Sequence, residues 1–206
     1  MAEVRSASAR AAPERFFRKP GRRDGVRHVE QHTANTGDPC RDPSDDLRRK
    51  SIGASGTPMR ILLVASAGGH WIELHRLKAA FVGADCQFVS TSKGMTPPLG
   101  DREVLEIPDT ARDSAWTMAP TLAGLFRIFR AFDPHLVVST GAAPGAMALL
   151  VGKMFGARTI WIDSIANSEV LSLSGRLVRP IADLRITQWQ HLAEKNRSLR
   201  YLGQIL

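Results

Sequence analysis

A chain of 206 residues with 28 Lys and Arg against 20 Asp and Glu carries a formal net charge of +8. Its two cysteines leave neither a disulfide framework nor a cysteine-rich metal centre as a reading, and they fit a reducing compartment. No apolar run reaches the ~18 residues of a membrane-spanning helix. The chain start lacks the apolar segment of a signal peptide.

The charge is spread evenly but the composition is not. Residues 1–58 hold 12 Lys and Arg and 8 Asp and Glu among scattered Pro, Gly, Ser and Ala, with no periodic apolar face. Such a segment buries too little apolar surface to offset its ordering entropy, so a disordered basic extension is expected. Met59 directly precedes the first strand, and a start there would leave a compact protein. Residues 59–206 are of ordinary single-domain size and carry the other four positive charges (16 − 12). That mild excess suits phosphate-bearing ligands or an anionic membrane surface. No aromatic-interleaved basic stripe points to nucleic acid.

Residues 61–66, Ile-Leu-Leu-Val-Ala-Ser, are an uncharged run of strand formers, suited to a parallel strand buried on both faces. Ala67, Gly68, Gly69 and His70 follow at once. Residues 71–81 then place Ile72, Leu74, Leu77 and Phe81 on one helical face. Strand, glycine turn and helix N-terminus in succession favour an anionic or phosphorylated ligand. A plain tight turn would carry the same glycines. The full Gly-x-Gly-x-x-Gly fingerprint is absent, as are a Walker lysine and an acidic residue at ribose-binding spacing. A nicotinamide dehydrogenase or a complete small nucleotide-binding enzyme is therefore disfavoured.

Residues 86–91 read as a second strand and 103–107 as a third closed by Pro108, with a loop at 92–98. Residues 114–132 read as a helix with Leu122, Leu125, Phe126 and Phe129 on one face, ended by Asp133 and Pro134. Arg127 and Arg130 flank that face, which suits either an ordinary core helix or an interfacial membrane contact. A fourth strand (135–140) leads through a small-residue turn (141–144) to a buried Ala/Leu/Met helix (145–155). A fifth strand (159–163), a short helix (173–182) and a sixth strand (184–187) follow. Repeated βα units argue for an α/β fold with a doubly wound parallel sheet. Ligands in such sheets lie beyond the carboxyl ends of the strands. A site is expected among loops 67–70, 92–98, 108–114, 140–145 and 163–172.

Three blocks then stand together. The first is Gly68, Gly69, His70, Glu73 and Leu74. The second is Asp133 and Pro134 with Ser139, Thr140 and Gly141. The third starts at Ile160, Ile162, Asp163, Ser164 and Ala166. It continues through Ser172, Ser174, Gly175 and Arg176 to Ala182, Asp183, Gln188, Trp189, Tyr201, Leu202 and Gly203. In order and spacing they resemble a two-subunit glycosyltransferase family. Its members include the membrane-recruiting subunit of the UDP-N-acetylglucosamine transferase of asparagine-linked glycosylation and bacterial exopolysaccharide-biosynthesis counterparts. More distantly, the chain is similar to the amino-terminal lobe of the peptidoglycan-precursor N-acetylglucosaminyltransferase. The resemblance covers about residues 59–205. Asp163 stands where relatives often have Glu, Gln190 where they often have Pro, and the amino-terminal anchor of the eukaryotic members is not matched.

The resemblance implies a Rossmann-like sheet acting as the amino-terminal, acceptor-binding lobe of a GT-B glycosyltransferase. A second lobe on a separate donor-binding subunit would hold the UDP-sugar, and no cofactor or metal is implied. The acceptor would be a lipid-linked saccharide, and the chain would work peripherally on the cytoplasmic face of a membrane. His70 is the candidate general base, since inverting transfer needs a group to take the acceptor hydroxyl's proton. A first-turn capping role is its alternative. Gly68 and Gly69 would offer amides to the acceptor diphosphate. Ser139, Thr140, Gly141, Asp163 and Ser164 complete the acceptor-binding candidates. For the 139–141 turn the alternative is close strand–helix packing, and for Asp163 an exposed strand-end carboxylate. Glu73 is accounted for by the helix dipole alone, and His75 by solvation. Trp189, Tyr201 and Leu202 either pack on the domain or face the partner lobe. A non-catalytic scaffold that recruits a transferase to the membrane is the competing reading.

Overall fold

The computed structural model describes residues 57–109 and 118–205. The expected disordered extension, residues 1–58, lies outside the described residues save for its last two. So do the first residues of the helix expected from residue 114.

Seven strands form one wholly parallel sheet. Strand β1 (Arg60–Ala65) leads into helix α1 (Gly69–Arg76) and a 3-10 turn (Leu77–Phe81). Strands β2 (Asp85–Ser90) and β3 (Leu105–Glu106) precede helix α2 (Met118–Phe132) and strand β4 (Leu136–Ser139). Helix α3 (Ala142–Met154), strand β5 (Arg158–Ile162) and helix α4 (Leu173–Leu177) follow. The chain continues through strand β6 (Leu184–Thr187), helix α5 (Gln190–Lys195) and strand β7 (Arg200–Tyr201). The strand order is β3-β2-β1-β4-β5-β6-β7. The direction of winding thus reverses between β1 and β4, the place where doubly wound sheets open a crevice to ligands.

The alternation within β1 shows why the sheet is covered on both faces. Leu62 and Val64 point into a cluster built with Leu125 and Phe129 of α2 and Met147, Leu149 and Val151 of α3. Ile61, Leu63 and Ala65 point the other way, toward Trp71, Leu74, Phe81 and Phe88. All five positions of β1 from 61 to 65 are buried, so a run without polar residues was required there.

The strands expected at 61–66, 86–91, 135–140, 159–163 and 184–187 are present to within a residue or two. The third strand is shorter than expected. The segment 71–81 is a two-part helix rather than one, and its inward face differs from the expected one. Trp71 takes the buried place, while Ile72 is 54% exposed. The expected helix 173–182 ends at Leu177. The sixth strand is not the last, because α5 and β7 follow it. In α2, Leu125 and Phe129 belong to the core and Arg127 and Arg130 are exposed. That is the arrangement of an ordinary core helix. No helix among the described residues is long and apolar enough to cross a membrane.

One carboxylate ties the approach to β6 to β5 and α3. Asp183, just before β6, accepts hydrogen bonds from the Thr159 amide (2.9 Å) and hydroxyl (3.1 Å) and pairs with Lys153 of α3. The Lys153 ammonium holds this carboxyl below its ordinary range. Partial burial opposes that pull, and the Thr159 bonds reinforce it. The folded value therefore lies below the ~3.9 of an unfolded aspartate. Its stabilising contribution is fully present above that unfolded value and is lost as pH falls through the folded one. Asp183→Asn should accordingly lower the thermal midpoint at pH 6 and flatten its acid-side fall below pH ~4. Equal acid limbs in the two proteins would contradict this account.

Gly145 sits in α3 directly over β4. A Cβ built there would lie 1.9 Å from Ser139 Oγ and 3.0 Å from Ser139 Cβ. Exchange of a helical Gly for Ala ordinarily stabilises by up to about 1 kcal/mol. Here overpacking reverses the sign, and Gly145→Ala should destabilise by about 1–3 kcal/mol. Adding Ser139→Ala should return part of that loss. Denaturant unfolding of the single and double variants checks both statements, and a stabilised Gly145→Ala would refute them.

Candidate active site

The loops that leave β1 and β4 meet at the switch point. After β1 the chain turns at Gly68, whose φ of +81° lies in a region that favours glycine, and α1 begins at Gly69. Gly68 and Gly69 are exposed, and no atom lies within 4 Å of where a Cβ would stand on either. Their amides belong to the helix start, whose first-turn N–H groups have no intrahelical carbonyl to bond. The first bond of the helix runs from the Ile72 amide to the Gly68 carbonyl at 3.1 Å. Thr91 Oγ1, at the end of β2, accepts from the Ala67 amide at 3.2 Å and supports the turn from the other side.

His70 reaches across to the β4 loop. Its Nδ1 lies 3.0 Å from the Thr140 carbonyl oxygen, and the Thr140 hydroxyl donates to the His70 carbonyl at 2.7 Å. A carbonyl oxygen only accepts, so this contact is a hydrogen bond in the tautomer that carries its hydrogen on Nδ1. The ring's Nε2 accepts no hydrogen bond from any group among the described residues, and the side chain is 28% exposed. The ring packs against Gly141, where a Cβ would fall 2.3 Å from His70 Cε1 and 2.4 Å from Nδ1. Gly141, at φ +148°, is thus needed both for its backbone conformation and for the room it leaves the imidazole.

The other candidates divide by direction. Ser139 is fully buried, and its Oγ accepts from the Gly141 amide at 3.2 Å beneath Gly145. It therefore acts in the close packing of strand against helix. Thr140 is also buried and holds His70. Asp163 is not an exposed strand-end carboxylate, being 1% exposed. Its Oδ1 accepts from Trp161 Nε1 (3.1 Å) and Ser172 Oγ (2.5 Å), and its Oδ2 accepts from the Ser172 amide (3.1 Å). Gly175 packs on that carboxylate, and Ser172 in turn caps α4 by accepting from the Gly175 amide at 2.9 Å. The carboxylate faces into the protein and fixes the 163–172 loop.

Ser164 is buried as well, and its hydroxyl donates to Glu73 Oε1 at 2.8 Å. The Ile165 amide donates to the same oxygen at 2.9 Å. Glu73, only 4% exposed, is thus no solvated helix-dipole residue. It joins α1 to the β5 loop. Among the described residues its Oε2 is buried without a hydrogen bond, and it stands 3.9 Å from His70 Nδ1, an ion-pair distance. Burial alone would push this carboxyl up. The neighbouring His70, the Ile165 amide and the Ser164 hydroxyl outweigh it, and the net direction is below the ordinary range. Sequence patterning missed Glu73 because an acidic residue near an expected helix start has a sufficient local explanation, whereas α1 begins at Gly69 and leaves Glu73 beyond its first turn. Its spacing of three from His70, one helical turn, was the available signal.

The carboxyl-terminal candidates also separate. Trp189 is half-buried and packs on the domain, its Nε1 donating to the Ile165 carbonyl at 2.8 Å. Tyr201 lies in β7 at the sheet edge, and both it and Leu202 are exposed, the latter by 74%. Gln188, singled out for no role from sequence, is fully buried. It donates to the Asp163 carbonyl at 3.1 Å and accepts from the Ile205 amide at 2.9 Å. Among the described residues no three His, Cys, Asp or Glu side chains are grouped to hold a metal ion.

This geometry can be set beside known proteins. Residues 105–205 match the family described as "Oligosaccharide biosynthesis protein Alg14 like". The chain is 30% identical over 182 residues to the human UDP-N-acetylglucosamine transferase subunit ALG14, covering 72% of this chain and 83% of that one. It is 27% identical over 189 residues to the subunit of the same name from Eremothecium gossypii, covering 76% and 84%. Among solved structures it resembles the UDP-N-acetylglucosamine 2-epimerase of Rickettsia bellii, with 14% identity and a TM-score of 0.54 over 71% of this chain. It also resembles MurG of Acinetobacter baumannii, with 12% identity and a TM-score of 0.50 over 71% of this chain. It spans 45% and 44% of those two chains, so the shared fold is that of one lobe of a GT-B enzyme. The match to the human subunit, extending over most of both chains, shows that the chain belongs to the Alg14 family.

Proposed function

We propose that this chain is the acceptor-binding subunit of a heteromeric glycosyltransferase that uses UDP-N-acetylglucosamine or a related UDP-sugar. The names of its relatives, each a subunit of a UDP-N-acetylglucosamine transferase, support the donor class. The acceptor is a lipid-linked saccharide, met at a membrane surface on the cytoplasmic face. The observation that carries the reading is the placement of His70. It stands at the switch point with Nδ1 tied to Thr140, Nε2 without a hydrogen-bond partner among the described residues, and the exposed Gly68–Gly69 turn beside it.

The chemistry follows from that placement. The first-turn amides of α1 suit the diphosphate of the acceptor lipid. The acceptor hydroxyl gives its proton to His70 Nε2 as its oxygen forms a bond to the donor's anomeric carbon. The bond from that carbon to the diphosphate oxygen breaks, and UDP leaves with the electron pair. The imidazolium then releases its proton to solvent. Asp163, Ser164 and Ser139 position the loops, whereas Thr140 and Gly141 hold the base. The donor sits on a separate lobe, and Tyr201 and Leu202 at the exposed sheet edge are where that partner is met. The scaffold reading accounts less well for a histidine held through one ring nitrogen by the β4 loop.

Purified alone, the chain should transfer no sugar. Combined with a donor-binding subunit, it should transfer from UDP-N-acetylglucosamine to a polyprenyl-diphosphate saccharide. Robust turnover by the single chain would defeat the two-subunit reading. In the reconstituted complex His70→Ala should lower kcat by about 10²–10⁴-fold, with the partner still bound. Loss of a helix-end hydrogen bond alone would cost about 0.5–2 kcal/mol of stability instead. A lowered melting midpoint with near-normal kcat would assign His70 to structure.

A further inference from the structure

We propose that Glu73 is the positioning residue of this site, its buried carboxylate deciding which nitrogen of His70 is left to take a proton. The proposal rests on the reading of His70 as base, but its first readout does not depend on that reading. Three observations carry it. Glu73 Oε1 is saturated by Ser164 Oγ and the Ile165 amide, so the carboxylate cannot turn without breaking both bonds. Its other oxygen is buried, unbonded, and 3.9 Å from His70 Nδ1. That same nitrogen is 3.0 Å from the Thr140 carbonyl oxygen.

Two acceptors therefore face one ring nitrogen, from α1 and from the β4 loop. A bare Nδ1 lone pair would be repelled by both, and an Nδ1–H is attracted by both. The neutral ring is thus held as the Nδ1–H form, which leaves the lone pair on Nε2. When Nε2 takes a proton, the ring charge lies beside a carboxylate already fixed in place, which needs no reorganisation as the charge forms. An unbonded carboxylate oxygen inside a protein is costly unless something compensates it, and a neighbouring imidazolium is such a compensation. The Ser164 and Ile165 bonds are structural in themselves. It is the free oxygen, aimed at the ring, that separates a positioning role from a mere staple between loops.

Glu73→Gln tests this. The replacement amide must keep its oxygen toward the Ser164 hydroxyl and the Ile165 amide, so its NH2 group takes the place of Oε2. A donor then faces Nδ1 where an acceptor stood. Long-range proton–nitrogen spectra of the full chain, labelled at histidine and recorded at a pH where the ring is neutral, report the tautomer directly. The His70 signals are assigned by their absence in His70→Ala. The wild-type ring should be Nδ1–H, and Glu73→Gln should shift it toward Nε2–H. In the reconstituted complex the same variant should lower kcat by about 10²-fold with little change in the KM for acceptor. An unchanged tautomer in Glu73→Gln overturns the proposal. A shifted tautomer with unchanged kcat supports positioning by Glu73 and overturns His70 as base. Should the variant not fold, the wild-type spectrum still decides, since a neutral Nε2–H ring there overturns the proposal without any substitution.

Discussion

The pair of hydrogen bonds between His70 and Thr140 ties together two loops seventy residues apart, and the rest of the site is arranged around it. Parallel pairing makes it possible. β1 and β4 run side by side in register, Val64 opposite Ser139, so both chains leave the sheet at the same level. Each then needs a residue without a Cβ. Gly68 lets the first chain turn, and Gly141 leaves room for the ring that the first chain sends across. The small residues are therefore consequences of one crossing. They serve the histidine before they serve any ligand.

Two buried carboxylates flank this crossing and do different work. Asp163 has three donors on its two oxygens and behaves as a node of the backbone, fixing where the β5 loop goes and where α4 starts. Its hydrogen-bonding capacity is spent inside the protein. Glu73 has both of its donors on one oxygen and keeps the other bare beside His70. Buried charge is tolerated when it is paired and hydrogen-bonded. Asp163 meets that condition with three neutral donors and the nearby Arg185 guanidinium, and Glu73 meets it in full only when the imidazole is charged. Equal burial thus gives different roles, and the difference lies in how the lone pairs are distributed.

The sheet was legible because its strands are buried on both faces and read as short apolar runs between turns, as at 61–66 and 135–140. β7 was not legible, because its two residues lie at the edge where one ladder suffices and no apolar pattern is needed. His70 and its glycines could be read because turn, spacing and chemistry coincide within four residues. The role of Glu73 could not, since its partners Ser164 and Ile165 lie more than ninety positions away. Asp163 was found as a position but its direction was not foreseen. Whether a strand-end carboxylate turns outward or inward depends on the Trp161 indole and the Ser172 hydroxyl being within reach, which is tertiary information.

The carboxyl-terminal segment shows how far this architecture extends. Gln188 leaves β6 fully buried, with its amide nitrogen on the Asp163 carbonyl and its oxygen on the Ile205 amide. Trp189 adds a bond to the Ile165 carbonyl, and Arg76 at the end of α1 donates to the Ile205 carbonyl at 3.3 Å. The segment after β7 is thereby fastened both to the loop that holds Glu73 and to the helix that carries His70. The exposed edge at Tyr201 and Leu202 and the His70 ring are the two ends of one bonded path. On the proposed function, a donor lobe seated at that edge would be aligned with the base through fixed backbone. Such continuity is a statement about placement, and it requires no conformational switch. An acceptor-side lobe would need such rigidity, because half of its reaction geometry would have to be supplied from another chain.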